Sequence, residues 1–491
     1  MNGSIIRKIL GYVLILESGL LLLPSLVALI YKESVGKFYI GCAALTFLCG
    51  LLLAVKKAKN TVFYLKEGCV ATALSWILLS FFGALPFYFS GEIPSLVDAM
   101  FETVSGFTTT GSSILADVES LSHAAIFWRS FTHWIGGMGV LVFLLAVVQM
   151  SGGSSINLMK SESPGPSVGK LVPKMKYTAR ILYFIYLALT VLEVIFLVCG
   201  DMPLFDALAT SFGTAGTGGF GIKNDSMGGY STYIQWTVTV FMLLFGVNFN
   251  FYYFFLLRQF GKAFKMEEVR TYIIIVLVAT GIVFSDVVHI YSTVGEALCK
   301  SFFQVATVIT TTGFSSADFN LWSSTSKTVL VMLMFVGACA GSTGGGIKVS
   351  RFVIVSKSIG KEIQSYLHPK SVKKISFDGK PVDHDIVRAT NVYYVCFVLV
   401  FVVSLLIVSF QDFDLTTNFT SVAAAINNIG PGLNLVGPTE NFGKFSDLSK
   451  FVLMFDMLAG RLELFPMLIL ISPRLWIESF NERLRAKNKN K

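Results

Sequence analysis

ATVITTTGFSS (306–316) sets three threonines and a glycine inside otherwise apolar chain, and GFTTTGSS (106–113) has already written nearly the same words. Each copy follows a short helix-like stretch, GEALCKSFFQVATV (295–308) and PSLVDAMFETVSG (94–106). Two looser copies share the design. PLFDALATSFG (203–213) runs into GTGGFG (216–221), and LTTNFTSVAAAI (415–426) runs into NNIGPG (427–432). Together they read as a fourfold repeat of helix, half-helix, glycine turn and helix. Gly111, Gly219, Gly313 and Gly430 fall at equivalent places in it.

The surrounding composition names the solvent. Hydrophobic residues make up 54% of the 491 and charged residues 14%, against a usual charged share of about a quarter in soluble domains. Mean hydropathy is +0.68, and apolar runs long enough to cross the hydrocarbon core recur along the chain. The net charge of +9 is no nucleic-acid signal, because of where the basic residues lie. Most of the Lys and Arg sit at the N-terminus, in 56–66, 160–180, 258–270 and 348–388, and in the C-terminal tail. These segments alternate with loops nearly free of them, the positive-inside bias of a membrane protein. The basic tail Arg483–Lys491 suits anionic lipid heads. Seven cysteines with no CxxC pair read as packing residues, and five histidines with no metal-ligand spacing give a metalloenzyme no foothold. Arg7 and Lys8 precede an apolar run that is too long for a signal peptide and lacks a cleavage site, so it reads as an uncleaved first helix.

Hydropathy places ten spans at about 9–30, 38–55, 68–90, 122–150, 180–200, 231–257, 271–292, 327–356, 390–410 and 448–472. Ten spans put both termini on one side, and the charge pattern makes that side cytoplasmic. The expected fold is an all-α polytopic membrane protein. Four pseudo-repeats of helix, pore loop and helix surround a central pore, with two extra N-terminal transmembrane helices. The helix pair occupies 1–60; the repeats occupy 61–160, 161–262, 263–365 and 366–491, with pore loops at 95–117, 203–227, 295–322 and 414–440.

Non-helical backbone at membrane depth leaves polar groups unsatisfied, at several kcal/mol each, unless it is buried in protein or lines water. Four such turns around one axis meet both conditions. Their carbonyls can face inward and replace the hydration shell of an alkali cation, as in a potassium filter. Glycine reaches dihedrals closed to other residues, and threonine supplies a hydroxyl as a further ligand or as a tie to the half-helix. Gly, Ser and Thr clusters also mark helix packing in membranes, but four clusters, each after a half-helix, favour a filter. Its residues are Thr109, Thr110, Gly111; Thr217, Gly218, Gly219; Thr311, Thr312, Gly313; and Asn428, Ile429, Gly430. The cation would be held through Thr110, Gly111, Gly218, Gly219, Thr312, Gly313, Ile429 and Gly430.

With FETVSGFTTTGSS, FWRSFTHWIGGMGV (127–140), VITTTGFSS, GACAGSTGGGIKVSR (337–351) and FDMLAGRLELFP (455–466), the chain resembles the Trk/Ktr/HKT superfamily of potassium transporters. It is closest to the Trk-type membrane subunit, over essentially its whole length. The second and fourth turns are the more divergent copies. The resemblance implies a homodimer of four-repeat pores in a bacterial inner membrane, carrying a cytosolic nucleotide-binding regulatory ring of the TrkA kind. Nucleotide is expected only on that partner; this chain needs no cofactor, and K+ is its cargo. Some plant relatives place serine at the first filter glycine and favour sodium; glycine at all four places here implies potassium, with rubidium tolerated.

GSTGGGIK (341–348) looks like a phosphate loop, but Ile347 stands between glycine and lysine, and the stretch lies within an apolar segment. The preferred reading of Gly341, Ser342, Thr343, Gly344, Gly345 and Gly346 is a flexible intramembrane loop (337–348) that obstructs the pore, and the resemblance implies the same. The alternative is close helix packing. Arg461, near the middle of an apolar span, reads as a charge beneath the filter that contacts loop carbonyls, over a snorkelling arginine. Arg129 and His133 share a helix face with Trp128 and Trp134 nearby, and read as an interfacial anchor. The function expected is channel-like potassium uptake, not enzymatic chemistry. Its rivals are a proton- or sodium-coupled symporter with alternating access, and a non-transporting receptor or scaffold.

Overall fold

The computed structural model describes residues 2–56, 64–139, 175–369 and 374–477. The last part of the expected fourth span, the basic segment before residue 175 and the basic tail lie outside them. Among the described residues six helices are long and apolar enough to cross a membrane: Gly3–Ile30, Gly36–Ala54, Leu65–Ser90, Arg180–Cys199, Glu267–Val287 and His384–Gln411. The last four are the first helices of the four repeats. His384–Gln411 buries only 28% of its apolar window, leaving Val395, Leu399 and Leu406 about 60% exposed, a side suited to lipid. Leu65–Ser90 buries 78%, because the N-terminal pair, Leu96–Phe107 and Phe465–Ile471 all pack against it. That pair crosses closely at two glycines: a Cβ on Gly11 would lie 2.8 Å from the Gly50 carbonyl oxygen.

Each half-helix is too short to span. Leu96–Phe107, Leu204–Gly216, Val294–Ile309 and Leu415–Ile426 run 12, 13, 16 and 12 residues. At 1.5 Å per residue they reach about 18–24 Å, against ~30 Å of hydrocarbon. Ser95, Thr293 and Asp414 cap three of them, each accepting the backbone N–H three residues on; Pro203 starts the other. Asp414 is exposed, and the slight desolvation it does undergo opposes ionisation. Hydrogen bonds from the Thr417 hydroxyl and amide and from Asn434 outweigh that and hold its carboxyl below the usual range.

The second helix of every repeat starts from a serine cap: Ser122, Ser231, Ser323 and Ser446. The lower halves of the second and fourth correct the expectation of continuous spans, and the third breaks at the expected glycine-rich loop. Thr232–Gly246 turns by 90° into Phe249–Leu256, where Asn248 caps the new helix. Ser324–Met334 stops before a non-helical stretch, and Val349–Leu367 follows. Asp447–Arg461 ends at Glu463 and Leu464, both at positive φ, and Phe465–Ile471 restarts with Pro466 in its first turn. A hydropathy window averages across such breaks because the flanks stay apolar. The third first-helix also starts earlier than hydropathy suggests. Glu267 and Glu268 occupy its first turn, where carboxylates complement the helix dipole. A two-stranded hairpin, Ser376–Phe377 with Lys380–Pro381, adds strand to a fold expected to be all helix; Asp378 and Gly379 at positive φ make its turn.

Candidate functional site

The four half-helices end in one backbone design. The residues Thr109, Thr217, Thr311 and Asn428 have φ of 55°, 56°, 59° and 55°, in the left-handed region. Their amides bond back three residues, to Gly106, Thr214, Val308 and Ala425. The next amides bond back five: Thr110 to Ser105 at 2.8 Å, Gly218 to Gly213 at 2.9 Å, Thr312 to Thr307 at 2.8 Å and Ile429 to Ala424 at 2.9 Å. This is the Schellman pairing that ends many helices, normally with glycine at the left-handed position. Threonine there costs on the order of 1–3 kcal/mol of backbone strain, incurred here three times over. One residue further on, Gly111, Gly219, Gly313 and Gly430 take φ of 81°, 73°, 86° and 99°.

The amides are thus committed backward into the half-helices, and the carbonyls are left over. Among the described residues no donor reaches the carbonyls of Thr110, Gly218, Thr312 or Ile429. These four belong to one assembly. A Cβ added to Gly111 would overlap the Gly218 carbonyl oxygen, one on Gly219 that of Thr312, and one on Gly313 that of Ile429. The fourth contact returns to the start: a Cβ on Gly430 would sit 2.8 Å from the Thr110 carbonyl oxygen. The contacts run first to second to third to fourth to first. All four glycines line a single cleft, with Ser112, Ser113, Phe220 and Ser315 above them.

Side chains tie the fourth turn to the first. The Ser112 hydroxyl donates to the Gly430 carbonyl at 3.0 Å, and Asn428 Nδ2 donates to Thr110 Oγ1 at 3.0 Å and to the Met457 carbonyl at 2.8 Å. Thr110 and Thr312 pair with Thr108 and Thr310 through hydroxyls at 2.8 and 2.7 Å, so these two hydroxyls serve as ties. The buried Thr109 hydroxyl has no partner among the described residues.

Arg129 and His133 are not at a membrane interface. Both are buried, and both brace the turns. His133 Nδ1 lies 2.8 Å from the Gly106 carbonyl, while Nε2 accepts the Phe220 amide at 3.3 Å. A neutral ring protonated on Nδ1 satisfies both contacts and joins the first half-helix to the second turn. Arg129 pairs with Glu102 at 2.7 Å and lies over the Phe220 ring; Glu102 also accepts the Ile114 amide at 3.0 Å. Trp128 and Trp134 donate inward, to the Gly83 carbonyl and to Thr190. The i,i+4 spacing of Arg129 and His133 was visible in sequence. The partners that bury them, Glu102 and Gly106 from the half-helix and Phe220 from the next repeat, were not.

Directly beneath the turns lies the glycine-rich loop. The Gly345 amide donates to Thr311 Oγ1 at 2.6 Å, and a Cβ on Gly344 would come within 2.9 Å of the Thr310 carbonyl oxygen. Positive φ at Gly337, Gly341, Gly346 and Lys348 holds the loop's path. Lys348 folds back onto the Gly344 carbonyl of its own loop, in contrast to a phosphate-loop lysine. Arg461 reaches across from the fourth repeat: Nη1 donates to the Thr343 carbonyl at 2.8 Å, and Nη2 to Gly137 at 2.7 Å and to Gly136. It thereby joins the loop to the lower end of the first repeat's second helix. Glu463 pairs with Arg351, which also stacks on Tyr393, and Asp456 accepts from Ser404. Glu268, which sequence reading passed over, touches the loop from a third side.

The TrkH family of cation transport proteins matches residues 35–480 of this chain. The Trk system potassium uptake protein TrkH of Salmonella typhimurium is 35% identical over 97% of this chain and 100% of its own length. The Trk system potassium uptake protein TrkG of Escherichia coli is 32% identical over the same shares. The crystal structure of the potassium transporter TrkH from Vibrio parahaemolyticus superposes with a TM-score of 0.87 at 33% identity, over 97% of this chain and 100% of that one.

Proposed function

This chain belongs to the TrkH family of cation transport proteins, and on that premise we propose that it takes up potassium by channel-like permeation through the four glycine turns. It is a membrane transporter and not an enzyme. The observation that carries the reading is the cyclic set of carbonyls from Thr110, Gly218, Thr312 and Ile429, which lack donors and whose neighbouring amides are already committed. A dehydrated alkali cation needs such an oxygen cage, and the strain at Thr109, Thr217 and Thr311 is incurred to build it.

The loop 337–348 and Arg461 form the gate under this cage. The loop touches the turns through Gly345 and Thr311, Arg461 holds it at Thr343, and a small shift can break these hydrogen bonds. The pore works as a homodimer in the bacterial inner membrane, both termini cytoplasmic, and a nucleotide-binding ring on the cytosolic face controls the gate. The word "system" in the relatives' names supports such a partner.

The test is flux of potassium or rubidium against sodium into liposomes, wild type beside Gly313→Ser and beside a deletion of 341–346. Wild type should pass potassium and rubidium over sodium, the serine variant should lose most of its potassium flux and with it that preference, and the deletion should raise basal flux. No potassium flux in wild type, or a preference untouched by the serine, would sink the filter reading. A folded deletion variant with unchanged flux would sink the gate.

A further inference from the structure

The glycine-rich loop does not rest against the turns alone; it is laced to the broken second helix of the second repeat. The Cys339 amide donates to the Gly246 carbonyl at 3.1 Å, the Phe249 amide to the Gly341 carbonyl at 3.0 Å, and the Thr343 hydroxyl to the Phe245 carbonyl at 3.2 Å. At the centre of this seam sits the buried carboxylate of Glu268, 2% exposed, from the first turn of the third repeat's first helix. Its Oε1 accepts the Ala340 amide at 2.6 Å and the Ser350 amide at 3.1 Å, one at each end of the loop. Its Oε2 accepts Asn248 Nδ2 at 3.3 Å, and Asn248 Oδ1 caps the bent helix Phe249–Leu256.

The helix that follows the loop explains why a carboxylate is needed there. Val349–Leu367 begins after Lys348, whose φ is 79° and whose side chain caps nothing in that helix. Its orphan Ser350 amide is therefore satisfied by Glu268 from another element, and the negative charge complements the helix N-terminus. The neighbouring Glu267 holds the same helix further along through an ion pair with Lys357, and accepts the Asp378 amide of the hairpin. Adjacent glutamates thus grip the loop on one side and its following helix on the other.

We propose that Glu268 is a positioning residue that staples the loop shut, by holding both loop ends and the break of the second repeat in one carboxylate. This rests on the reading of the loop as a gate. The carboxylate makes charge-assisted bonds, the stronger class of hydrogen bond. Release of any one leaves a buried polar group unsatisfied, so the loop ends and the bent helix leave together or stay together. Opening then requires that Phe249–Leu256 and Val349–Leu367 move relative to Glu268, which gives a cytosolic partner two helices to act on.

Cys339 lies in the seam, fully buried, and is a native reporter. The experiment uses the full chain in liposomes, with the other six cysteines replaced by serine or alanine, and adds a small methanethiosulfonate reagent. Glu268→Gln keeps size and one acceptor; Glu268→Ala removes the staple; Asn248→Ala removes one arm. Modification of Cys339 is expected to quicken by about tenfold or more in Glu268→Ala and by less in the other two, in parallel with basal rubidium flux. Cys339 still protected in folded Glu268→Ala and Glu268→Gln would overturn the staple, whatever the flux does. Faster modification with unchanged flux would uphold the staple and overturn the gate reading, so the two ideas fail separately.

Discussion

The layer of glycine turns and the layer beneath it are built from the same four repeats and obey opposite rules. Above, the backbone repeats almost to the degree: four left-handed residues with φ between 55° and 59°, four matching pairs of back-bonds and four glycines in cyclic contact. Side chains there differ freely, TTTG against NNIG. Below, the second, third and fourth repeats each differ. The second repeat bends by 90°, the third opens into a loop, and the fourth breaks at Glu463 and Leu464. The difference fits the roles proposed for the two layers. A cation enclosed by backbone oxygens needs similar distances on every side, which matching backbone supplies whatever the side chains. Closing a pore needs only one obstruction, and an obstruction is stabilised by ties specific to its own place.

The comparison breaks most easily at the glycines. Replacing Gly111, Gly219 or Gly313 by alanine puts a methyl into a neighbouring carbonyl at a left-handed position, and potassium flux should fall by about a hundredfold or more. Gly430→Ala should be the mildest of the four, since its nearest carbonyl is 2.8 Å from the added carbon. Four single variants compared in one rubidium uptake assay would check this, and free tolerance at any one position would show that the upper symmetry is not required.

An intermediate effect is expected in the lower layer. Arg461→Ala removes three hydrogen bonds, to Thr343, Gly136 and Gly137, and on the gate reading should raise basal flux by about tenfold or more, since the loss of even one charged hydrogen bond yields that much. Lower flux in a folded variant would mean that the arginine aids conduction and does not block it.

The smallest effect separates hydroxyl from carbonyl. Thr110→Val keeps the shape and the carbonyl but loses the ties to Thr108 and Asn428. It should cost about 1 kcal/mol of stability, seen as a lower midpoint of thermal unfolding. Potassium over sodium preference should change by no more than about threefold, and a larger loss would make the hydroxyl a ligand.

Legibility in the sequence followed the range of the interaction. The half-helices and glycine turns could be read because a half-helix and its turn are local, and because the chain states them four times. The serine caps at 122, 231, 323 and 446 were equally local and went unread, although a serine before an apolar run is a helix-start signal. Pro466 and Asn248 likewise marked the breaks that hydropathy averaged away. Arg129, His133 and Glu268 were beyond reach for another reason. Their partners are the turn residue Phe220 for His133, Glu102 for Arg129, and Ala340 and Ser350 for Glu268, each brought close by folding.

The sequence by itself determined that this is a membrane protein of repeated helix and half-helix, each half-helix running into a turn that contains glycine. Hydrophobic length and backbone sterics act over a few residues, and composition records them directly. Tertiary structure decided the rest: that Gly430 meets Thr110, that His133 joins a half-helix to the next turn, and that one glutamate holds both ends of a loop. Those outcomes depend on buried polar groups finding partners far along the chain. A group removed from water must be satisfied by whatever the packing brings to it, and no local pattern states what that will be.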